Sequence, residues 1–113
     1  CGGLWEARKI AAMAEACEIS VAPHNPLGPV DTAAAIQLDF DTPNFLIQEA
    51  IRSDVPWRDE VVSNPVEVVD GKVALPTRPG LGIEVNETEA AKHPFQPEIL
   101  MQPFHRDGAV ADW

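Results

Sequence analysis

The order of apolar and polar positions predicts alternating helices and strands over the first fifty residues. Apolar side chains recur at helical spacing across residues 4–17, and Glu6 lies in the first turn, where a carboxylate suits the positive end of a helix. Residues 19–22 form a short, almost continuously apolar run that Pro23 ends. Such runs are typical of parallel strands buried on both faces.

The same alternation repeats once. Residues 29–40 are predicted to be helical, and Pro29 fits the first turn because its missing N–H would have no partner there. Pro43 then breaks the chain, and residues 45–48 form a second apolar strand that ends at Glu49. Strands joined by crossover helices run parallel, so the pattern predicts an α/β fold. A doubly wound sheet and a barrel both fit it.

The pattern changes beyond Arg52. Residues 66–75 contain two β-rich arms around Asp70 and Gly71, which is a strong hairpin signal. A proline- and glycine-rich loop over residues 76–82 follows, then an extended piece at residues 83–85 and a helical turn within residues 87–92. The tail after that is irregular, and we expect it to pack on other parts of a longer chain.

Composition narrows the class of protein. The chain has 113 residues, 45% of them hydrophobic, and a formal net charge of −10. Nucleic-acid binders concentrate Lys and Arg, so this charge argues against a nucleic-acid partner. No apolar run is long enough to span a membrane, and we expect a cytoplasmic protein. Cys17 lies on the apolar stripe of the first helix, so we expect a buried free thiol.

The start of the chain bears on its completeness. Cys1, Gly2 and Gly3 lead directly into a helix, with no leader segment. We therefore expect the carboxy-terminal piece of a larger protein.

Two ionisable side chains follow the two predicted strands. His24 comes just after the first strand, and Glu49 ends the second. Ligands of parallel α/β folds bind at the carboxyl ends of strands, so both side chains are predicted to reach one rim. His is the natural acid or base near neutral pH, and a carboxylate beside it can orient substrate or stabilise charge. A proline-flanked His can equally be a loop residue, and a terminal Glu can simply be solvated.

The other histidines and the tryptophans are not predicted to take part in catalysis or binding. His93 and His105 lie between prolines and are expected at the surface, whereas the three tryptophans are expected to pack: Trp5, Trp57 and Trp113. The sequence has no nucleophile elbow, phosphate-binding loop or paired-cysteine zinc motif, and no carboxylate cluster with metal spacing.

Several segments resemble the enolase superfamily, specifically its mandelate racemase group. The similarity covers nearly the whole chain and is carried by residues 2–16, 21–29, 43–49, 72–85 and 107–113. The most specific part is the run Ala22-Pro23-His24-Asn25-Pro26-Leu27-Gly28-Pro29. It is more similar to galactonate dehydratases than to mannonate dehydratases.

The resemblance implies a fold and a division of the chain. Residues 1–50 would be the last strands and helices of a TIM-type (β/α) barrel. Residues 51–113 would form a carboxy-terminal segment with a hairpin that packs on the barrel and returns towards a capping domain. A barrel needs about 250 residues, so this chain would hold less than half of one.

The resemblance also implies a reaction. His24 would be the base that abstracts the proton alpha to the carboxylate of a sugar acid, and Glu49 would stabilise the enolate. The enzyme would use Mg²⁺, with its three carboxylate ligands, a second histidine and an aspartate partner of His24 all upstream of Cys1. It would be a homo-oligomer and would convert galactonate to 2-keto-3-deoxygalactonate.

Two alternatives stay open. The sugar acid could be gluconate, mannonate or altronate, because capping loops outside this chain set substrate choice. The chain could also be a small, non-catalytic binding module that uses its hairpin.

Overall fold

The first helix begins at a glycine with unusual backbone geometry. In the computed structural model, which describes residues 1–97 and 103–111, helix α1 spans Leu4–Ala16. Gly3 precedes it with a φ of 102°, a conformation that favours glycine, and its carbonyl accepts the Ala7 N–H at 3.0 Å. The chain therefore bends sharply at Gly3 before it enters the helix.

The second helix, α2, spans Pro29–Phe40, as the sequence predicts. Pro29 occupies the first turn, and Asp31 there complements the positive helix end. At the other end, the Thr42 hydroxyl donates to the Leu38 carbonyl at 2.7 Å. The same carbonyl also accepts the Asp41 N–H at 3.1 Å, so the last turn of the helix is closed by both bonds.

The two apolar runs lie side by side and run parallel. Val21 and Phe45 form a parallel bridge, in which Val21 N–H donates to Asn44 O and Leu46 N–H donates to Val21 O, both at 2.9 Å. The Asn44 side chain donates to the carbonyls of Ala11 and Ile19, at 3.1 and 2.8 Å. The predicted pairing is therefore confirmed, but regular pairing extends over a single bridge.

The second half contains a short antiparallel pair. Strand β1, Val62–Ser63, pairs with strand β2, Glu84–Val85, and helix α3, Glu87–Ala90, follows β2 directly. Asn86 caps α3 by accepting the Glu89 N–H at 3.1 Å. The predicted extended piece and helical turn are confirmed, whereas no pattern in the sequence predicts β1 as the partner of β2.

The predicted hairpin over residues 66–75 is present only at its tip. Val69 and Lys72 form an antiparallel bridge, with hydrogen bonds of 2.9 Å in both directions. Asp70 and Gly71 between them have φ values of 50° and 72°, as a two-residue hairpin turn requires. The arms beyond this turn do not pair with each other as regular strands in the described part of the chain.

The core is small, and this overturns two expectations of burial. Its buried apolar residues come from α1, α2 and β1: Ala11, Ala33, Ile36 and Val62. Cys17 is a free thiol as expected, but it is exposed, and Trp5 is 72% exposed. Ile10 and Met13 on the apolar stripe that leads to Cys17 are also exposed, so no other described segment covers this stripe, although its spacing predicted burial. Trp113 lies outside the described residues.

The architecture is α/β, with little sheet. The described residues pair only through the parallel bridge, the β1–β2 ladder and two isolated antiparallel bridges, so they do not themselves close a barrel. Among these residues, no helix has the length and apolar character needed to cross a membrane.

Candidate functional site

His24 and Glu49 meet at the ends of the paired strands. His24 follows the strand that contains Val21, and Glu49 follows the strand that contains Phe45. The imidazole Nδ1 lies 2.6 Å from Glu49 Oε2, and the two side chains are 78% and 50% exposed. The structure thus brings together the two side chains that the sequence selected, at an edge that solvent can reach.

Asn25 fixes the backbone of the loop that carries His24. It is 1% exposed, and its backbone N–H donates to Glu49 Oε2 at 3.0 Å. Its side chain donates to Thr32 Oγ1 and accepts from the Leu27 N–H, both at 3.4 Å. Glu49 Oε2 therefore contacts two consecutive residues of the loop: it accepts the Asn25 N–H and lies within ion-pair distance of His24 Nδ1. Sequence analysis did not select Asn25, although an Asn inside a proline-rich turn is a recognisable bracing residue.

Two side chains from other parts of the chain donate hydrogen bonds to backbone carbonyls of the loop that carries His24. Gln48 Nε2 donates to Pro23 O at 3.2 Å. Arg58, whose side chain is 8% exposed, donates through Nη2 to Leu27 O and through Nη1 to both carboxylate oxygens of Asp54 at 2.9 Å. Nothing in the sequence around Arg58 distinguishes it from a surface arginine, because its partner loop is about thirty residues away in the chain.

The arrangement sets the chemistry available to the imidazole. A carboxylate that accepts a hydrogen bond from Nδ1–H leaves the lone pair of a neutral imidazole on Nε2. If Nδ1 of His24 carries the ring proton beside Glu49, Nε2 is the atom able to take a proton from a molecule at the strand ends. Glu49 Oε1 receives no hydrogen bond from any described residue, so this oxygen remains available to a bound molecule.

The residues at this edge do not form a magnesium site by themselves. Mg²⁺ prefers an octahedral shell of oxygen ligands that usually includes one or two carboxylates. Glu49 Oε2 is already engaged by His24 and Asn25, and the described residues contain no group of three or more potential metal ligands. Any Mg²⁺ used here would need its ligands from other polypeptide.

The environment of His93 differs from the one that the sequence predicted. His93 was expected at the surface, but its ring stacks on Trp57 with centroids 3.9 Å apart and an interplanar angle of 11°. The packing role expected for Trp57 is confirmed by this contact. Beside the stack, a hydrogen bond from Lys92 lowers the pKa of Glu89, and Glu89 in turn raises the pKa of Lys92. His105 is exposed, as expected.

The chain matches one family model over most of its length. The model is described as enolase C-terminal domain-like, and it matches residues 1–90. A D-galactonate dehydratase from Xanthomonas campestris pv. campestris (strain B100) is 38% identical over 120 residues, which cover 99% of this chain and 31% of that protein. The chain therefore spans less than a third of the length of this curated relative.

Solved structures show the same relationship. A proposed mandelate racemase/muconate lactonizing enzyme from Burkholderia SAR-1 is 42% identical, with a TM-score of 0.80 over 98% of this chain and 29% of that one. A proposed L-alanine-DL-glutamate epimerase from Burkholderia xenovorans strain LB400, bound to magnesium and fumarate, is 36% identical, with a TM-score of 0.77 over 81% of this chain and 23% of that one. On the match to residues 1–90, this chain belongs to the enolase C-terminal domain-like family.

Proposed function

We propose that this chain is the carboxy-terminal part of a sugar-acid dehydratase, a hydro-lyase that converts D-galactonate to 2-keto-3-deoxygalactonate. The observation that carries the proposal is the 2.6 Å contact between His24 Nδ1 and Glu49 Oε2 at the ends of adjacent parallel strands. The 38% identity to a D-galactonate dehydratase supports the choice of reaction.

In this proposal His24 is the general base. Its Nε2 takes the proton from the carbon alpha to the substrate carboxylate, and the electrons of that C–H bond move into an enolate. The bond from the beta carbon to its hydroxyl then breaks, and the oxygen leaves as water after it receives a proton from an acid outside this chain. The resulting enol tautomerises to the 2-keto-3-deoxy acid.

Glu49 has two tasks in the same proposal. Through Oε2 it holds the His24 ring and the Asn25 N–H, so the base keeps one orientation. Its other oxygen, Oε1, would carry a proton at that stage and donate a hydrogen bond to the enolate oxygen, which would stabilise the developing negative charge. The aspartate partner of His24 implied by the resemblance would lie outside this chain.

The rest of the proposal concerns the intact protein. Residues 1–50 would contribute the last strands and helices of a (β/α) barrel, and residues 51–113 would pack on that barrel and on a capping domain. Mg²⁺ would neutralise the substrate carboxylate, held by carboxylates from outside this chain. The magnesium-bound structural neighbour supports a metal requirement. We further propose a cytoplasmic homo-oligomer with a small sugar acid as its only substrate class.

The proposal is tested by assaying the intact enzyme that contains this chain against a panel of aldonates. We expect formation of a 2-keto-3-deoxy acid from galactonate, and a loss of roughly 10²–10⁴-fold in kcat for His24→Asn. His105→Asn, which changes an exposed histidine outside the site, is the matched control and should keep full activity.

The same panel of aldonates distinguishes galactonate dehydration from the alternative functions. If the enzyme dehydrates gluconate, mannonate or altronate but not galactonate, it is a sugar-acid dehydratase with a different substrate from the one proposed. Epimerisation without loss of water would reject the dehydratase. No activity of the intact protein on any sugar acid would favour a self-standing binding module.

A further inference from the structure

Asn25 is a fully buried polar side chain next to an exposed histidine. It is 1% exposed, although His24 before it is open to solvent. Burying an amide costs free energy unless its polar atoms are paired, and both ends of this amide are paired. Oδ1 accepts the Leu27 N–H and Nδ2 donates to Thr32 Oγ1, at 3.4 Å each. Because Thr32 Oγ1 in turn donates to Gly28 O at 3.2 Å, the Asn25 side chain is tied to the start of α2.

These side-chain bonds hold the peptide group of Asn25 in one orientation. Its N–H donates to Glu49 Oε2 at 3.0 Å, and the same oxygen lies 2.6 Å from His24 Nδ1. A carboxylate oxygen has two lone pairs, and these two groups occupy both of them when Nδ1 carries the ring proton. Glu49 Oε1 accepts no hydrogen bond from any described residue. A proton on a neutral Glu49 would therefore reside on Oε1, the oxygen that a bound molecule can reach.

We infer that Asn25 is a positioning residue, whose buried amide aims its own N–H at Glu49 Oε2 and so fixes the plane of that carboxylate. Glu49 then contacts His24 through Oε2 and keeps Oε1 for the substrate. The catalytic part of this inference rests on the proposed function, because there Glu49 donates a hydrogen bond to the enolate. Without the two side-chain bonds the loop still carries His24, but the carboxylate plane can turn away from the imidazole.

The test compares three variants of the intact protein that contains this chain. Asn25→Ala removes both side-chain hydrogen bonds and keeps the backbone N–H. Asn25→Ser keeps a hydroxyl that can accept the Leu27 N–H in a turn of the same kind, although more weakly. Asn44→Ala is the matched control, because it removes two hydrogen bonds of another asparagine, of 3.1 and 2.8 Å, at the other end of the strand that leads to Glu49. Circular dichroism and thermal unfolding measure the folding and the stability of each variant.

The first readout is the kinetics of galactonate dehydration. We expect Asn25→Ala to lower kcat roughly 10–10²-fold with KM unchanged, because it misplaces groups that act in the transition state and not in substrate binding. Asn25→Ser should recover part of this loss. Asn44→Ala should lose stability and keep kcat. A loss of kcat that is the same in Asn25→Ala and Asn44→Ala, or a loss confined to KM, would overturn the inference.

The second readout needs no reaction. With ¹⁵N-labelled histidine, the His24 signals are assigned by their disappearance in His24→Asn, at a pH where the ring is neutral. We expect Asn25→Ala to shift these signals towards a mixture of the two tautomers and Asn44→Ala to leave them unchanged. If Asn25→Ala does not fold, the same comparison is made with Asn25→Ser.

The two readouts separate failure of this inference from failure of the proposed function. Absence of dehydration in the unsubstituted protein would reject the reaction, whereas a tautomer shift in Asn25→Ala would still support the role of Asn25 in orienting Glu49. His24 signals that do not change in Asn25→Ala would overturn that role, whatever reaction the protein catalyses.

Discussion

Replacing Asp39 by Asn should stabilise the 113-residue chain at neutral pH and have no such effect in acid. Asp39 lies in the last turn of α2, is 9% exposed, and has no hydrogen-bond partner for either carboxylate oxygen among the described residues. This burial raises the pKa of Asp39 from 3.8 to about 6, so the folded chain holds the proton more tightly than the unfolded chain does. Ionisation of Asp39 therefore favours the unfolded state. The cost is fully present above pH 6 and disappears as the pH falls from 6 to 3.8.

The size of this effect follows from the two pKa values. A difference of this size corresponds to at most about 3 kcal/mol of free energy of unfolding, because solvent near this part-buried carboxyl screens its charge. Asn has nearly the shape of protonated Asp and never ionises. We therefore expect Asp39→Asn to gain up to about 3 kcal/mol at pH 8 and nearly nothing at pH 4.

The assay is urea unfolding of both chains, followed by the far-ultraviolet circular dichroism of α1 and α2, from pH 4 to pH 8. The difference between the two chains isolates Asp39 from all other titrating groups. Asp31→Asn is the control and should lose stability slightly, because Asp31 complements the positive end of α2. A difference between Asp39→Asn and the unsubstituted chain that does not change with pH would refute the reasoning.

Three other predictions concern the support of the site and its metal. Arg58→Lys should lower the free energy of unfolding by about 1–3 kcal/mol, measured by urea titration, because lysine cannot bind Leu27 O and the Asp54 carboxylate together. Asn44→Ala should cost roughly 1–3 kcal/mol in the same assay, since it removes two hydrogen bonds to backbone carbonyls. Calorimetric titration of the chain with MgCl₂ should show no tight binding, whereas micromolar affinity would contradict metal ligands outside this chain.

Local signals predicted the local structure well. Helix α2 has the bounds that Pro29 and the break after Phe40 indicate, and α3 forms where a single helical turn was expected. The meeting of His24 and Glu49 was also predictable, because parallel strands bring their carboxyl ends to one edge. In each case the determining interactions lie close in sequence or follow from a general rule of topology.

Predictions that depended on distant contacts were less successful. Cys17 was expected to be buried, but periodicity shows only that it lies on an apolar stripe of α1 and not whether anything covers that stripe. Trp5 was expected to pack, but it is 72% exposed. The stacking of His93 on Trp57 joins residues 36 positions apart, and no local pattern encodes it. The sequence analysis did not predict the hydrogen bond from Arg58 to the carbonyl of Leu27, in the loop that follows His24, for the same reason.

The tautomer of the His24 imidazole tests the central claim most directly. With ¹⁵N-labelled histidine at a pH where the ring is neutral, the ring nitrogen shifts report which nitrogen carries the proton. The contact with Glu49 predicts a proton on Nδ1 and an unprotonated Nε2, and Glu49→Gln should weaken that preference. A ring protonated on Nε2, with shifts unchanged by Glu49→Gln, would show that the two side chains do not meet at the strand ends.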